Sequence, residues 1–113
     1  MTDSTFMHEL NDGAGATVDA RLVPLIKFLN RLNVTTESTY IDAHMATVTF
    51  FGEYPTMADL LFKHFKEMFG HIDGVRLEMS WRSKRFLGSV WVPLSSLDEV
   101  SSRIGIWLEM LRK

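Results

Sequence analysis

From Val18 onward apolar residues recur at three- and four-residue steps: Val18, Leu22, Leu25, Ile26, Leu29 and Leu32, with Arg21, Lys27, Asn30 and Arg31 mostly on the other side. That spacing predicts a helix over about 19–32. Asp19 or Thr17 can cap it, and Pro24, which lacks a backbone donor and suits a first turn, moves the expected start toward Leu22. Asn33 suits the exit. The period then changes. Thr35, Thr36, Thr39, Tyr40 and Ile41, and after them Met45 to Phe51, are rich in β-branched and aromatic residues, which predicts two strands joined by a hairpin turn at Asp42-Ala43-His44.

Gly52-Glu53-Tyr54-Pro55 stops the second strand, and Thr56 with Asp59 has the spacing of a capping box before a second helix. Met57, Leu61, Phe65, Met68 and Phe69 form its stripe; Ala58, Leu60 and Phe62 widen it, so this helix is expected to be buried over more than half its girth, with Gly70 just past its end. Val75, Leu77, Met79 and Trp81 alternate with Arg76, Glu78, Ser80 and Arg82 in the cleanest strand pattern of the chain. A turn at Ser83-Lys84-Arg85 leads into a fourth strand from Phe86 to Val92, closed by Pro93. Ser96 and Glu99 have capping-box spacing ahead of a last helix, whose face is Leu97, Val100, Ile104, Trp107, Leu108 and Leu111. The order α-β-β-α-β-β-α predicts an α+β two-layer sandwich, a mostly antiparallel four-stranded sheet with helices packed on it.

Composition narrows the class. The 113 residues suit a single domain, expected over 18–113, and 46% hydrophobic with 23% charged residues is a globular balance. Residues 1–17 carry Asp3, Glu9 and Asp12 with no Lys or Arg and read as a flexible acidic leader, whose apolar cluster is Phe6, Met7 and Leu10. No apolar run is long enough to cross a bilayer and the N-terminus lacks a signal-peptide pattern, which points to a cytoplasmic protein without a membrane partner. The absence of cysteine excludes disulfides, thiolate metal sites and cysteine nucleophiles.

No motif implies a cofactor or a metal. His8, His44, His64 and His71 do not have ligand spacing, although Asp73 lies near the last two. Ser38, Asp42 and His44 have the residue types of a nucleophilic triad but crowd one hairpin, where catalytic triads are assembled from separate segments, so the reading leans away from an enzyme. Gly13-Ala14-Gly15 lacks the strand before it and the lysine after it that phosphate-binding loops require.

Charge is more informative. Residues 33–62 hold Glu37, Asp42, Glu53 and Asp59 without a Lys or Arg, whereas 76–85 hold Arg76, Arg82, Lys84 and Arg85 against Glu78, which predicts a polarised domain. Arg76, Arg82, Lys84 and Arg85, with Trp81 and Phe86 beside them, form a candidate binding hairpin for an acidic protein or a nucleic acid; the plainer role of such charge is to keep a sheet edge from pairing. Apolar residues also exceed the needs of one small core. Phe50, Phe51 and Trp91 suggest a second apolar surface, and Ile106 and Met110, off the stripe of the last helix and just after Gly105, are candidates for self-association as a homodimer or for cover by the leader.

The segments Leu22 to Asn30, Thr35-Thr36-Glu37-Ser38-Thr39-Tyr40 and Ala46 to Phe50 resemble small uncharacterised bacterial and phage proteins, in which a similar helix precedes a Thr-x-x-Ser-Cys-x-Gly-His segment and a Val-x-Phe strand. About 30 residues are covered, and Thr39, Ile41 and Asp42 stand where that pattern has cysteine, glycine and histidine. The resemblance implies that any chemistry of that cysteine and histidine is missing here. With the composition, it leads to the expectation of a small non-enzymatic protein-binding domain, an accessory or inhibitor protein, with a nucleic-acid or nucleotide binder using hairpin 76–86 as the alternative.

Overall fold

The first helix starts where its proline permits. In the computed structural model, which describes residues 19–112, Asp19 is extended and its carboxylate accepts from the Arg21 backbone N–H at 2.9 Å, opening one 3-10 turn at Ala20–Leu22. Helix α1 (Val23–Arg31) follows with Pro24 in its first turn, where a missing donor costs nothing. Asn33 then takes a left-handed conformation at φ 62°, which its short polar side chain tolerates, and the Val34 N–H closes onto the Leu29 carbonyl at 3.0 Å. Strands β1 (Thr35–Ile41) and β2 (Met45–Gly52) form the first hairpin. Its turn lacks an Asn-Gly pair, and the Asp42 carboxylate replaces it by accepting from the backbone N–H groups of His44 at 2.7 Å and Met45 at 2.8 Å.

Helix α2 (Pro55–Phe69) departs from expectation at both ends. Pro55 takes the first helical position, so the Thr56–Asp59 capping box does not form. Gly70 ends the helix in an ordinary right-handed conformation, and among the described residues the left-handed glycine is Gly74, at φ 82° in the loop to the next strand. Strands β3 (Arg76–Arg82) and β4 (Arg85–Pro93) make the second hairpin, with Ser83 at φ 58° in a two-residue turn. A 3-10 turn at Leu94–Ser96 leads into helix α3 (Leu97–Leu111); Ser96 makes no side-chain cap there, and Asp98 and Glu99 meet the helix dipole in the first turn.

The element order is the one the sequence patterns predict, α-β-β-α-β-β-α, and the fold is an α+β sandwich. All pairings are antiparallel, in the order β1-β2-β4-β3, so β2 and β4, from different hairpins, lie side by side at the centre. Strand alternation divides the sheet. Ala46, Val48 and Phe50 of β2 and Phe86, Val90 and Val92 of β4 are buried on one face, in one core with Leu25, Ile26, Phe28 and Leu29 of α1, Leu61, Phe65 and Phe69 of α2, and Leu97, Val100 and Ile104 of α3. Phe28, fully buried, joins the three helices, with edge-on contacts to Phe69 at 5.7 Å and Trp107 at 5.1 Å between ring centroids. Gly88 of β4 is required there, because a Cβ would run into the backbone carbonyl oxygen of Glu78 on β3 and would meet the Phe50 ring at 2.6 Å.

Helix α2 is less covered than its stripe predicts. Leu60 and Phe62 are exposed and burial is confined to Ala58, Leu61, Phe65 and Phe69, since one side of a helix on a two-layer fold must face water. The sequence reading of 1–17 as a flexible leader falls outside the described residues. Within them, no helix is long and apolar enough to cross a membrane.

Two expectations follow from local chemistry. The buried Thr36 hydroxyl has no hydrogen-bond partner among the described residues, and Thr36→Val removes that polar group at nearly constant shape. Urea unfolding should therefore show a stabilisation of about 1 kcal/mol. At the start of α1, the side-chain and backbone hydrogen bonds from Arg21 lower the Asp19 pKa from 3.8 to about 2. A lowered folded-state pKa contributes stability above the unfolded value that is lost as pH falls through the folded one. Asp19→Asn should remove stability at neutral pH and leave a smaller further loss between pH 3.8 and about 2 than the parent shows in acid titration.

Candidate functional site

The face of the sheet opposite the helices carries the second set of alternating side chains, and the strand register arranges them in rows. Tyr40, Thr47, Trp91 and Arg76 lie across β1, β2, β4 and β3; Ser38, Thr49, Ser89 and Glu78 make the next row, and Thr35, Phe51, Leu87 and Ser80 the third. Arg85 and Arg82 pair at the end of the second hairpin. Three members of the middle row are small and polar, with the Ser38 and Thr49 hydroxyls hydrogen-bonded to each other, and Thr49 and Ser89 floor a shallow trough of about 340 Å³ bordered by Glu37, Glu78 and Ser80. The rows beside it are aromatic and apolar. Tyr40 is 64% exposed, while Phe51, Leu87 and Trp91 are half-buried.

Arginines lie flat on this face. The Arg76 guanidinium sits 4.7 Å from the Trp91 ring centroid and that of Arg85 sits 4.6 Å from the Phe51 ring, both within cation–π range. Arg85 also reaches the Glu53 carboxylate at 3.5 Å, so an acidic residue of the first half of the chain and a basic residue of the second neutralise one another at the hairpin end. The predicted charge polarity is blunted there. Glu53, Tyr54, Arg82 and Lys84 help enclose an open depression of about 720 Å³ at that end.

The predicted basic hairpin is divided between the two faces. Arg76, Arg82 and Arg85 come to the open face and Lys84 to the turn, whereas Trp81 alternates with them onto the helix side, edge-on to the buried Phe86 at 5.6 Å and 54% exposed. The aromatic rings that do accompany the arginines are Trp91 and Phe51. Both were legible as excess apolar residues; Phe50, grouped with them, belongs to the core. Tyr40 had a signal too, since it alternates with Thr39 and Ile41, but a β-rich stretch read without its partner strands does not reveal which face will lie away from the helices.

The last helix keeps Ile106 and Met110 in water, at 61% and 66% exposure. They border a groove of about 280 Å³ with Met68 and Trp107, flanked by Glu67 and Arg103. Nothing lies within 4 Å of the position a side chain would take at Gly105, so no backbone of the described chain approaches it.

Ser38, Asp42 and His44 are engaged separately. The Asp42 carboxylate holds the hairpin turn, which lowers its pKa through the backbone N–H groups of His44 and Met45, and Ser38 is bonded to Thr49. His64 packs against the Trp107 ring at 5.5 Å. Among the described residues no group of three His, Asp or Glu is placed to hold a metal ion. In comparisons with known proteins, the chain matches no family model, no curated protein and no solved structure.

Proposed function

We propose that this chain is a small non-enzymatic protein-binding domain, an accessory or inhibitor protein of the bacterial or phage cytoplasm, and that it makes its contact through the open face of the sheet. One observation carries the reading: aromatic rows topped by guanidinium groups and interleaved with carboxylates lie on a face that no helix among the described residues covers. Protein interfaces combine these ingredients, with aromatic and arginine anchors at the centre and charges of both signs around them.

The alternative, nucleic-acid or nucleotide binding at residues 76–86, draws on Arg76, Arg82, Lys84 and Arg85. Two features favour a protein instead. The Trp91 and Phe51 rings already carry an arginine on one face, which leaves them poor platforms for stacking bases. Glu37, Glu53 and Glu78 stand among the arginines, so a phosphate backbone meets repulsion along with attraction.

Affinity capture from a lysate of the source organism, with full-length chain as bait, tests the reading. The parent should retain a stoichiometric protein that Trp91→Glu and Arg76→Glu each lose and Ile106→Glu keeps. Tight binding of oligonucleotides that weakens steeply with salt, with no protein captured, would instead establish the nucleic-acid reading.

A further inference from the structure

We infer that a second copy of this chain occupies the open sheet face, the two sheets packing face to face about a two-fold axis that runs along the strands. The inference rests on the reading of that face as a protein contact and names the partner.

The pattern of side chains is self-complementary under this symmetry. An axis along the strands, between β2 and β4, keeps the rows in step, sets β1 against β3 of the second copy and β2 against its β4. Tyr40 then faces the second copy's Arg76, a cation over an exposed ring. In the middle row the Ser38 hydroxyl faces a Glu78 carboxylate, and in the third Phe51 faces Leu87. At the end of the sheet Glu53, which follows β2, faces Arg85, which opens β4, and so repeats between chains the ion pair already present within each. Each contact occurs twice. An axis across the strands at the same trough would place Glu78 against its own mate, whereas the first arrangement sets it against Ser38 with Glu37 beside it.

The near balance of charge on this face is what self-recognition requires. An acidic or a basic partner would be repelled by about half of the groups, whereas a copy rotated about the strand axis offers a neutral group to Arg76 and an opposite charge to Arg85, with Glu37 near Glu78 as a like-charge approach. The small residues Ser38, Thr49 and Ser89 of the middle row leave room for approach at the roughly 10 Å spacing of stacked sheets, aligned within about 30°. Four strands about 4.8 Å apart, each about seven residues long at about 3.3 Å per residue, present roughly 400 Å² in projection. Corrugation raises the accessible area, but the contact stays at the small end of the range around 800 Å² per partner, so a concentration-dependent dimer is expected.

Sedimentation equilibrium of the full-length chain decides the matter. The mass should rise from 13.0 kDa in dilute solution toward twice that at tens to hundreds of micromolar protein. Trp91→Glu should hold it at 13.0 kDa with an unchanged far-ultraviolet spectrum. Glu53→Arg and Arg85→Glu, both at exposed positions, should each weaken the dimer at least tenfold alone and restore it when mixed, because opposite charges then meet across the axis in both contacts. A parent chain that stays at 13.0 kDa at every concentration overturns the inference, and so does a dimer that survives Trp91→Glu but is dissolved by Ile106→Glu, which would put the second copy on α3. A monomer that still captures another protein in a Trp91-dependent way refutes the second copy and leaves the protein-binding reading standing.

Discussion

Burial of alternate residues along the two central strands, on one face only, is the constraint that organises this molecule. Ala46, Val48 and Phe50 beside Phe86, Val90 and Val92 form an apolar floor with no access to water, and it is stable only under a roof. The three helices supply that roof and meet at Phe28. Gly88 shows how closely the floor is packed, since the Glu78 backbone carbonyl and the Phe50 ring occupy the space a side chain would need.

One-sided burial has a functional consequence. A sheet whose core face is closed by helices still presents a second face, and here that face is built of rings, hydroxyls and guanidinium groups in register. Arg76 lies over Trp91 and Arg85 over Phe51, and Arg85 is also paired with the Glu53 carboxylate. Such a surface is tolerable in a lone chain and gains from being covered. The exposed pair Ile106 and Met110 is a smaller surface of the same kind on the other side of the molecule.

Much of this was legible in the sequence because alternation and helical spacing are local. Leu77, Met79 and Trp81 against Arg76, Glu78 and Arg82 declared both the strand and its two faces. Asp19, Pro24 and Asn33 bounded the first helix through their backbone preferences. Other features depended on partners far along the chain. Nothing local says that β2 lies next to β4, and without that neighbour Thr47 and Trp91 are not a row. Capping boxes failed where a stronger local term intervened: Pro55 fixed the start of α2, and a 3-10 turn delivered the chain into α3. Trp81 was grouped with the arginines by adjacency, although strand alternation sends neighbours to opposite faces.

Phe50 and Phe51 offer the most direct measurement of one-sided burial, being identical side chains, adjacent on one strand and directed to opposite faces. Urea unfolding of Phe50→Ala and Phe51→Ala, at protein concentrations low enough to keep the chain monomeric, compares the faces with backbone position and side-chain chemistry held nearly constant. Phe50→Ala should cost about 3–5 kcal/mol, as for a fully enclosed ring, and Phe51→Ala no more than about 1.5 kcal/mol, the scale of a half-exposed ring held by one cation–π contact. Equal losses at the two positions would mean that both faces are closed within the single chain, and would contradict the account.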